Sequence, residues 1–229
     1  MISPNYTAEA HVTLVCGKQR SGKTSFVYKY LVNILPEVAA VFIFDKSGQS
    51  AMRLGQPHAG VIEEIESAKS SKLVCFNPHR MFPGKKYPLA FPWFCDRVME
   101  WSATGPGRKI LFVDELWGEV TPHNVPDELL NVVKTGHFWG LEFIACTHRP
   151  REFPIALRSS VTEWVLFHTA EAVELDEVEP YFPEAHLAAS LPIKGRFVAF
   201  NVGSGGILQG GFAEVKGGWS EFPLDGLSA

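Results

Sequence analysis

Cysteine is scarce in this chain. Cys16, Cys75, Cys95 and Cys146 are the only four among 229 residues, and no two form a C-x-x-C pair. That spacing excludes the common zinc and dithiol motifs. Three of the four lie in apolar runs that read as strands, which points to buried reduced thiols rather than disulfides. An excess of basic charge is lacking too: 21 Lys and Arg stand against 25 Asp and Glu, a net charge of −4. No global signal for nucleic acid results, although an acidic ring can still line a pore with a few basic residues. There is no internal repeat, no low-complexity block, no apolar run of membrane-spanning length and no signal-peptide pattern. The expectation is a cytoplasmic protein of ordinary globular composition. Residues 1–229 would form one α/β domain, with a polar arm over residues 1–9 and a loosely held Gly-rich tail over residues 216–229.

What the chain does have is a strong local signal. Val12-Thr13-Leu14-Val15-Cys16 is an apolar, β-branched run, and Gly17-Lys18-Gln19-Arg20-Ser21-Gly22-Lys23-Thr24 follows it. Strand, G-x-x-x-x-G-K-T and helix in that order form a phosphate-binding loop in the context it requires. The two glycines let the backbone curl so that successive N–H groups face an anion, and the helix start adds unpaired donors. The expected nucleotide-binding set is Gly17, Lys18, Gln19, Arg20, Ser21, Gly22, Lys23, Thr24 and Ser25. Lys23 would reach the β- and γ-phosphates, and the Thr24 hydroxyl would sit on Mg²⁺. The plainer reading, a Gly-rich turn with an exposed lysine, explains neither flank.

After the loop, Phe26, Val27, Tyr30, Leu31, Ile34 and Leu35 recur at helical spacing up to Pro36. Ala39–Asp45 then reads as a strand buried on both faces, as in a parallel sheet. Asp45 at its end is either a ligand or a turn residue. Residues 63–70 are polar and helix-compatible, and Lys72–Phe76 is a third strand. Asn77–Pro92 reads as a long irregular insertion with His79, Arg80, Lys85 and Lys86 among aromatics. It suits a phosphate-backbone contact, and equally a solvated loop or a subunit contact. A helix is expected over Trp93–Thr104.

Lys109–Val113 runs into Asp114-Glu115. An Asp at such a strand end can hold Mg²⁺, as in a Walker B element, and the next carboxylate is placed to polarise a water that attacks the γ-phosphate. Asp114 is therefore assigned to the metal and Glu115 to the water. A helix from Pro126 to Gly136 carries Lys134, with His137 at its end. Leu141–Thr147 is the next strand, and His148 and Arg149 follow its C-terminal end, where a polar side chain can sense the γ-phosphate; a structural histidine is the alternative. Ile155–Ser160 is a short turn carrying Arg158, Glu163–Phe167 a fifth strand, Glu171–Glu179 an acidic solvated helix, and His186–Ser190 a short helix. Arg196–Asn201 is a strand, and Gly211–Val215 could return as a hairpin.

Taken together, these motifs resemble the FtsK/HerA superfamily of DNA-pumping ATPases. The matching pieces are the loop Gly17–Thr24, the Asp45–Gln49 stretch, the Asp114-Glu115 pair, Ala145–Pro150 with Phe153–Ser159, and the distal Leu187–Phe200 region. Coverage is Leu14 to Asn201, in order. The resemblance implies a RecA-like P-loop fold with a mostly parallel sheet flanked by helices. It also implies ATP and Mg²⁺ as ligands, double-stranded DNA as polymer and a hexameric ring of identical subunits. Each site would be completed by a neighbour's cation, with Arg158 and Arg149 as candidates and Lys134 behind them; any of these could instead form a local ion pair. The short single-domain chain is similar to viral genome-packaging ATPases, which would add a portal or capsid vertex partner. His148 stands where the family has a Gln, so protonation of the imidazole would make activity pH-sensitive. Lys18 follows the first loop glycine as in deviant phosphate loops, but the Gly-Gly of that pattern is absent. Rival readings are a conjugation or segregation translocase, a small nucleotide kinase, which has no need of Glu115, and an assembly protein gated by nucleotide.

Overall fold

The computed structural model describes residues 11–54, 72–215 and 218–221. The expected arm over residues 1–9 and the helix-compatible stretch over residues 63–70 lie outside them. Among the described residues there are nine strands: β1 Val12–Cys16, β2 Ala40–Phe44, β3 Leu73–Phe76, β4 Lys109–Val113, β5 Leu141–Thr147, β6 Glu163–Phe167, β7 Arg196–Asn201, β8 Gly206–Val215 and β9 Gly218–Glu221. The chain divides into two compact units, one of residues 1–12, 34–113 and 125–144, the other of residues 13–33, 114–124 and 145–229.

In the first unit the strand order is β3-β2-β4-β5. β2 pairs parallel with both neighbours, Val41 opposite Leu73 and Ile110, and Phe44 opposite Phe76 and Val113. Every residue of β4 is buried, as expected for a parallel strand covered on both faces. The helix Ala90–Thr104 buries Phe91, Phe94, Cys95 and Val98, a 3.6-residue stripe. Its rings interlock with the sheet: Phe76 and Phe94 stack at 4.9 Å, and Phe91 meets Phe44 edge-on at 5.1 Å. This helix begins at Ala90 rather than Trp93, because Pro92 lies in the first turn, where no N–H is needed. The preceding stretch is not irregular either. A short helix over Pro78–Met81 and a 3₁₀ turn over Gly84–Leu89 occupy it. A buried ion pair, Arg108–Glu142, and Lys109 tie together the segments that lead into β4 and β5.

The second unit runs β5-β1-β6-β7-β8-β9. β1 pairs parallel with β6, and β6–β7, β7–β8 and β8–β9 each pair antiparallel. The hairpin partner of β7 thus starts at Gly206 rather than Gly211, and the tail is not wholly loose, since β9 lies within it. The helix Lys23–Ile34 packs Phe26 against Phe167 and Phe197, with ring centroids at 5.9 and 4.8 Å. The segment over residues 171–179 is shorter as a helix, Ala172–Asp176, and is not simply a solvated face. Glu174 is buried and pairs with Arg151, and Glu177 pairs with Arg158, so two carboxylates clamp the turn that follows β5.

Candidate nucleotide site

The phosphate loop belongs to the second unit and takes its shape from two constraints. Gly17 has φ +142°, and a Cβ there would lie 2.7 Å from the Phe167 Cβ. Only glycine fits where the loop leaves β1 against β6. Beyond it, Lys18 N donates to His168 O at 3.0 Å, Ser21 N to Lys18 O at 3.2 Å, and Gly195 N to Ser21 O at 3.1 Å. Arg20 adopts φ +65°, a left-handed conformation uncommon for a side-chain-bearing residue, and Gly22 has φ +111°. The curl is therefore held from outside through the Lys18 amide and the Ser21 carbonyl, and further amides of the loop are left for a ligand. Among the described residues, no protein acceptor takes the N–H of Gly22, Thr24 or Ser25. Ser21 is fully buried, and its hydroxyl has no partner among the described residues. An orphaned buried hydroxyl beside unpaired amides fits an anion with several acceptor oxygens.

Lys23 is 5% exposed. Its ammonium donates to Gly17 O at 2.6 Å and Lys18 O at 3.0 Å, and lies 3.2 Å from His148 Nδ1. Burial lowers its pKa below the usual 10.5, opposed by the nearby Cys146, Cys16, Asp114 and Glu115. Because the ammonium only donates, His148 Nδ1 accepts, and the imidazole proton resides on Nε2. That nitrogen lies 3.4 Å from Glu115 Oε1. Glu115 has φ +58° and a half-exposed side chain. The residue after it is stitched to β5 by Leu116 N donating to Cys146 O at 2.9 Å. A left-handed glutamate in mid-chain is a strained position that cross-strand bonding must hold.

Thr24 Oγ1 donates to Asp114 Oδ1 at 3.0 Å. A hydroxyl and one carboxylate are hard oxygen donors, too few for a closed metal cage. They fit Mg²⁺, which takes one or two protein oxygens and completes its octahedron from phosphate and water. The structure thus brings Lys23, Thr24, Asp114, Glu115 and His148 into one cluster linked by contacts of 3.0 to 3.4 Å.

The cation candidates separate. Arg158 is 5% exposed, donates to Phe153 O and Arg151 O, and pairs with Glu177. It makes a local ion pair. Arg149 is exposed, as is Lys134 in the first unit. Asp45 is a turn residue rather than a ligand: it is buried and accepts from Ser47 Oγ, Gly48 N and Ser50 N at 2.8 to 2.9 Å. Ser21 as an orphaned donor, and the pairs Arg151–Glu174 and Arg158–Glu177, carried no separate signal in the sequence. Partners about twenty positions apart have no local period to reveal them.

No protein-family model and no curated protein matches this sequence. Solved structures do match. The genome packaging NTPase B204 from Sulfolobus turreted icosahedral virus 2, in complex with AMP, is 18% identical, with a TM-score of 0.69; the match covers 89% of this chain and 97% of that one. The pCW3 conjugation coupling protein TcpA, in its monomer form with ATPgS, is 16% identical over 88% of this chain and 60% of that one, with a TM-score of 0.55. The cytoplasmic domain of the Thermomonospora curvata type VII secretion ATPase EccC is 14% identical over 90% of this chain and 26% of that one, with a TM-score of 0.57. The chain therefore has the P-loop NTPase fold shared by a viral genome-packaging NTPase, a conjugation coupling protein and a secretion ATPase, the fold its own motifs implied.

Proposed function

We propose that this chain is a Mg²⁺-dependent ATPase that drives double-stranded DNA, as the motor of viral genome packaging. One observation carries the reading: the chain Lys23–His148–Glu115 lies beside the Thr24–Asp114 bond, so a phosphate-binding cation, a water-orienting carboxylate and a metal-type oxygen pair share one cluster. The nucleotide phosphates would take the amides of Gly22, Thr24 and Ser25 and the Ser21 hydroxyl. Lys23 would exchange its neutral acceptors for charged phosphate oxygens, a stronger charge-assisted bond. Release of His148 from Lys23 leaves the imidazole able to orient Glu115, which accepts the proton of the attacking water. Thr24 and Asp114 would hold Mg²⁺, which neutralises charge developing on the phosphates. With Arg158 engaged locally, Arg149 is the better placed of the two arginines to serve a neighbouring copy's site in a hexameric ring; Lys134 is the further alternative. A portal or vertex protein would be the docking partner.

The conjugation-type translocase is the second reading, favoured by the shared fold of TcpA. Displacement of a triplex-forming strand from linear duplex tests translocation itself. ATP- and Mg²⁺-dependent displacement supports a motor. Hydrolysis without displacement, unchanged by duplex DNA, would instead support a kinase-like enzyme or an assembly switch.

A further inference from the structure

We infer that the segment Asn77–Leu89 is the platform that grips the DNA backbone, through Arg80, Lys85 and Lys86; this rests on the functional reading above and assigns it a surface. From Lys72 to Cys95 the sequence contains no Asp or Glu, while it carries Lys72, Arg80, Lys85 and Lys86. In a chain with more acids than bases, such an acid-free basic stretch concentrates the positive field in one place. Arg80, Lys85, Lys86 and His79 are all exposed. Among the described residues, no carboxylate pairs with Arg80, Lys85 or Lys86.

The cations are carried on an ordered support. Asn77 Oδ1 accepts from His79 N at 3.0 Å and caps the short helix that bears Arg80. Phe82 N donates to Pro78 O at 2.9 Å. The Phe82 ring is anchored between Phe76 at 6.3 Å and Trp93 at 5.5 Å. His79 stacks on Tyr87 with centroids 4.9 Å apart, which ties the Arg80 turn to the turn bearing Lys85 and Lys86. Side chains mounted in this way lose less backbone freedom on binding than those of a floppy loop. Long cationic side chains offer point charges to phosphates but no fixed base-edge readout, so binding should be independent of sequence. A motor that must pass any sequence needs that property.

The test is binding of a mixed-sequence duplex to the full chain over a range of salt, for wild type and Arg80→Ala/Lys85→Ala/Lys86→Ala. The triple variant is expected to bind on the order of tenfold or more weakly, with the slope of log affinity against log salt shallower by about 3, near 0.9 for each lost cation. Its DNA-free ATP hydrolysis should equal that of wild type, while stimulation by DNA disappears. Lys85→Arg/Lys86→Arg should bind as wild type. A triple variant that is folded and binds with unchanged affinity and slope overturns the platform while leaving the motor reading intact; so does one whose only defect is in assembly. Wild type that fails to bind duplex at low salt defeats the functional reading itself, and the platform with it.

Discussion

Lys23 and Lys109 are both buried lysines, 5% and 4% exposed, and both hold backbone carbonyls at the end of a strand. Lys109, in the first unit, donates to Gly105 O, Gly107 O and Trp139 O at 2.6, 2.9 and 3.0 Å. Its three donors meet three carbonyls, and nothing is left over. Lys23, in the second unit, has two carbonyls and one imidazole nitrogen, and that imidazole in turn faces a glutamate. Burial lowers the pKa of both. The difference lies in the partners. Lys109 closes two loops permanently. Lys23 rests on acceptors that a phosphate can displace, and one of them is part of the proposed water-orienting relay. On the proposed function, burial and hydrogen bonding alone do not distinguish a structural lysine from a ligand lysine; what the partners are coupled to does.

Substituting each lysine in turn separates the two roles, with the largest effects expected. Lys23→Ala should reduce ATP turnover on the order of 10³-fold, the scale of losing a donor to transition-state charge, and should cost about 2 kcal/mol of stability for the two carbonyls it strands. Lys109→Met should affect stability alone. It strands three carbonyls and should cost about 3 kcal/mol of stability, read by chemical denaturation, while turnover per folded molecule is unchanged. A Lys109→Met protein that is stable but inactive would erase the distinction.

The relay predicts a smaller effect. His148→Ala removes the bridge between Lys23 and Glu115 and should lower kcat on the order of 10- to 100-fold through misplacement. His148→Gln, which keeps a donor and an acceptor, should recover most of that loss; steady-state kinetics of the two variants would show whether bonding or bulk matters.

The smallest effect is on alkaline stability. Burial raises the Cys75 thiol, on β3 of the first unit, from 9.0 to about 12. Between those values the unfolded chain has lost this proton and the folded chain retains it. Folding therefore weakens as pH rises through that window, by at most about 1.4 kcal/mol per pH unit. Urea titrations of Cys75→Ala should show a shallower decline above pH 9 than wild type. An identical decline would mean that Cys75 titrates alike in both states.

The parts of this molecule legible in the sequence are those whose residues are contiguous. Gly17–Thr24 and Asp114-Glu115 each fit in one stretch with an apolar strand before them, and the parallel strands announce themselves as unbroken apolar runs. The helix start at Ala90 was hidden by Pro92, which reads as a breaker unless the first turn is recognised. The 77–89 stretch was hidden by its prolines, which here pre-set short turns. The division into two units was not visible because each is assembled from three separated segments, so no linker or composition shift marks a boundary. Among the arginines, sequence could not separate Arg149 from Arg158, because the partner that engages Arg158 is Glu177, nineteen positions away.

DNA-driven hydrolysis through Glu115 is tested most sharply by ATP turnover with and without double-stranded DNA, for wild type and Glu115→Gln. DNA should stimulate the wild type, and Glu115→Gln should bind ATP yet hydrolyse it at a small fraction of the wild-type rate in either condition. Turnover indifferent to DNA, or retained in Glu115→Gln, would contradict this.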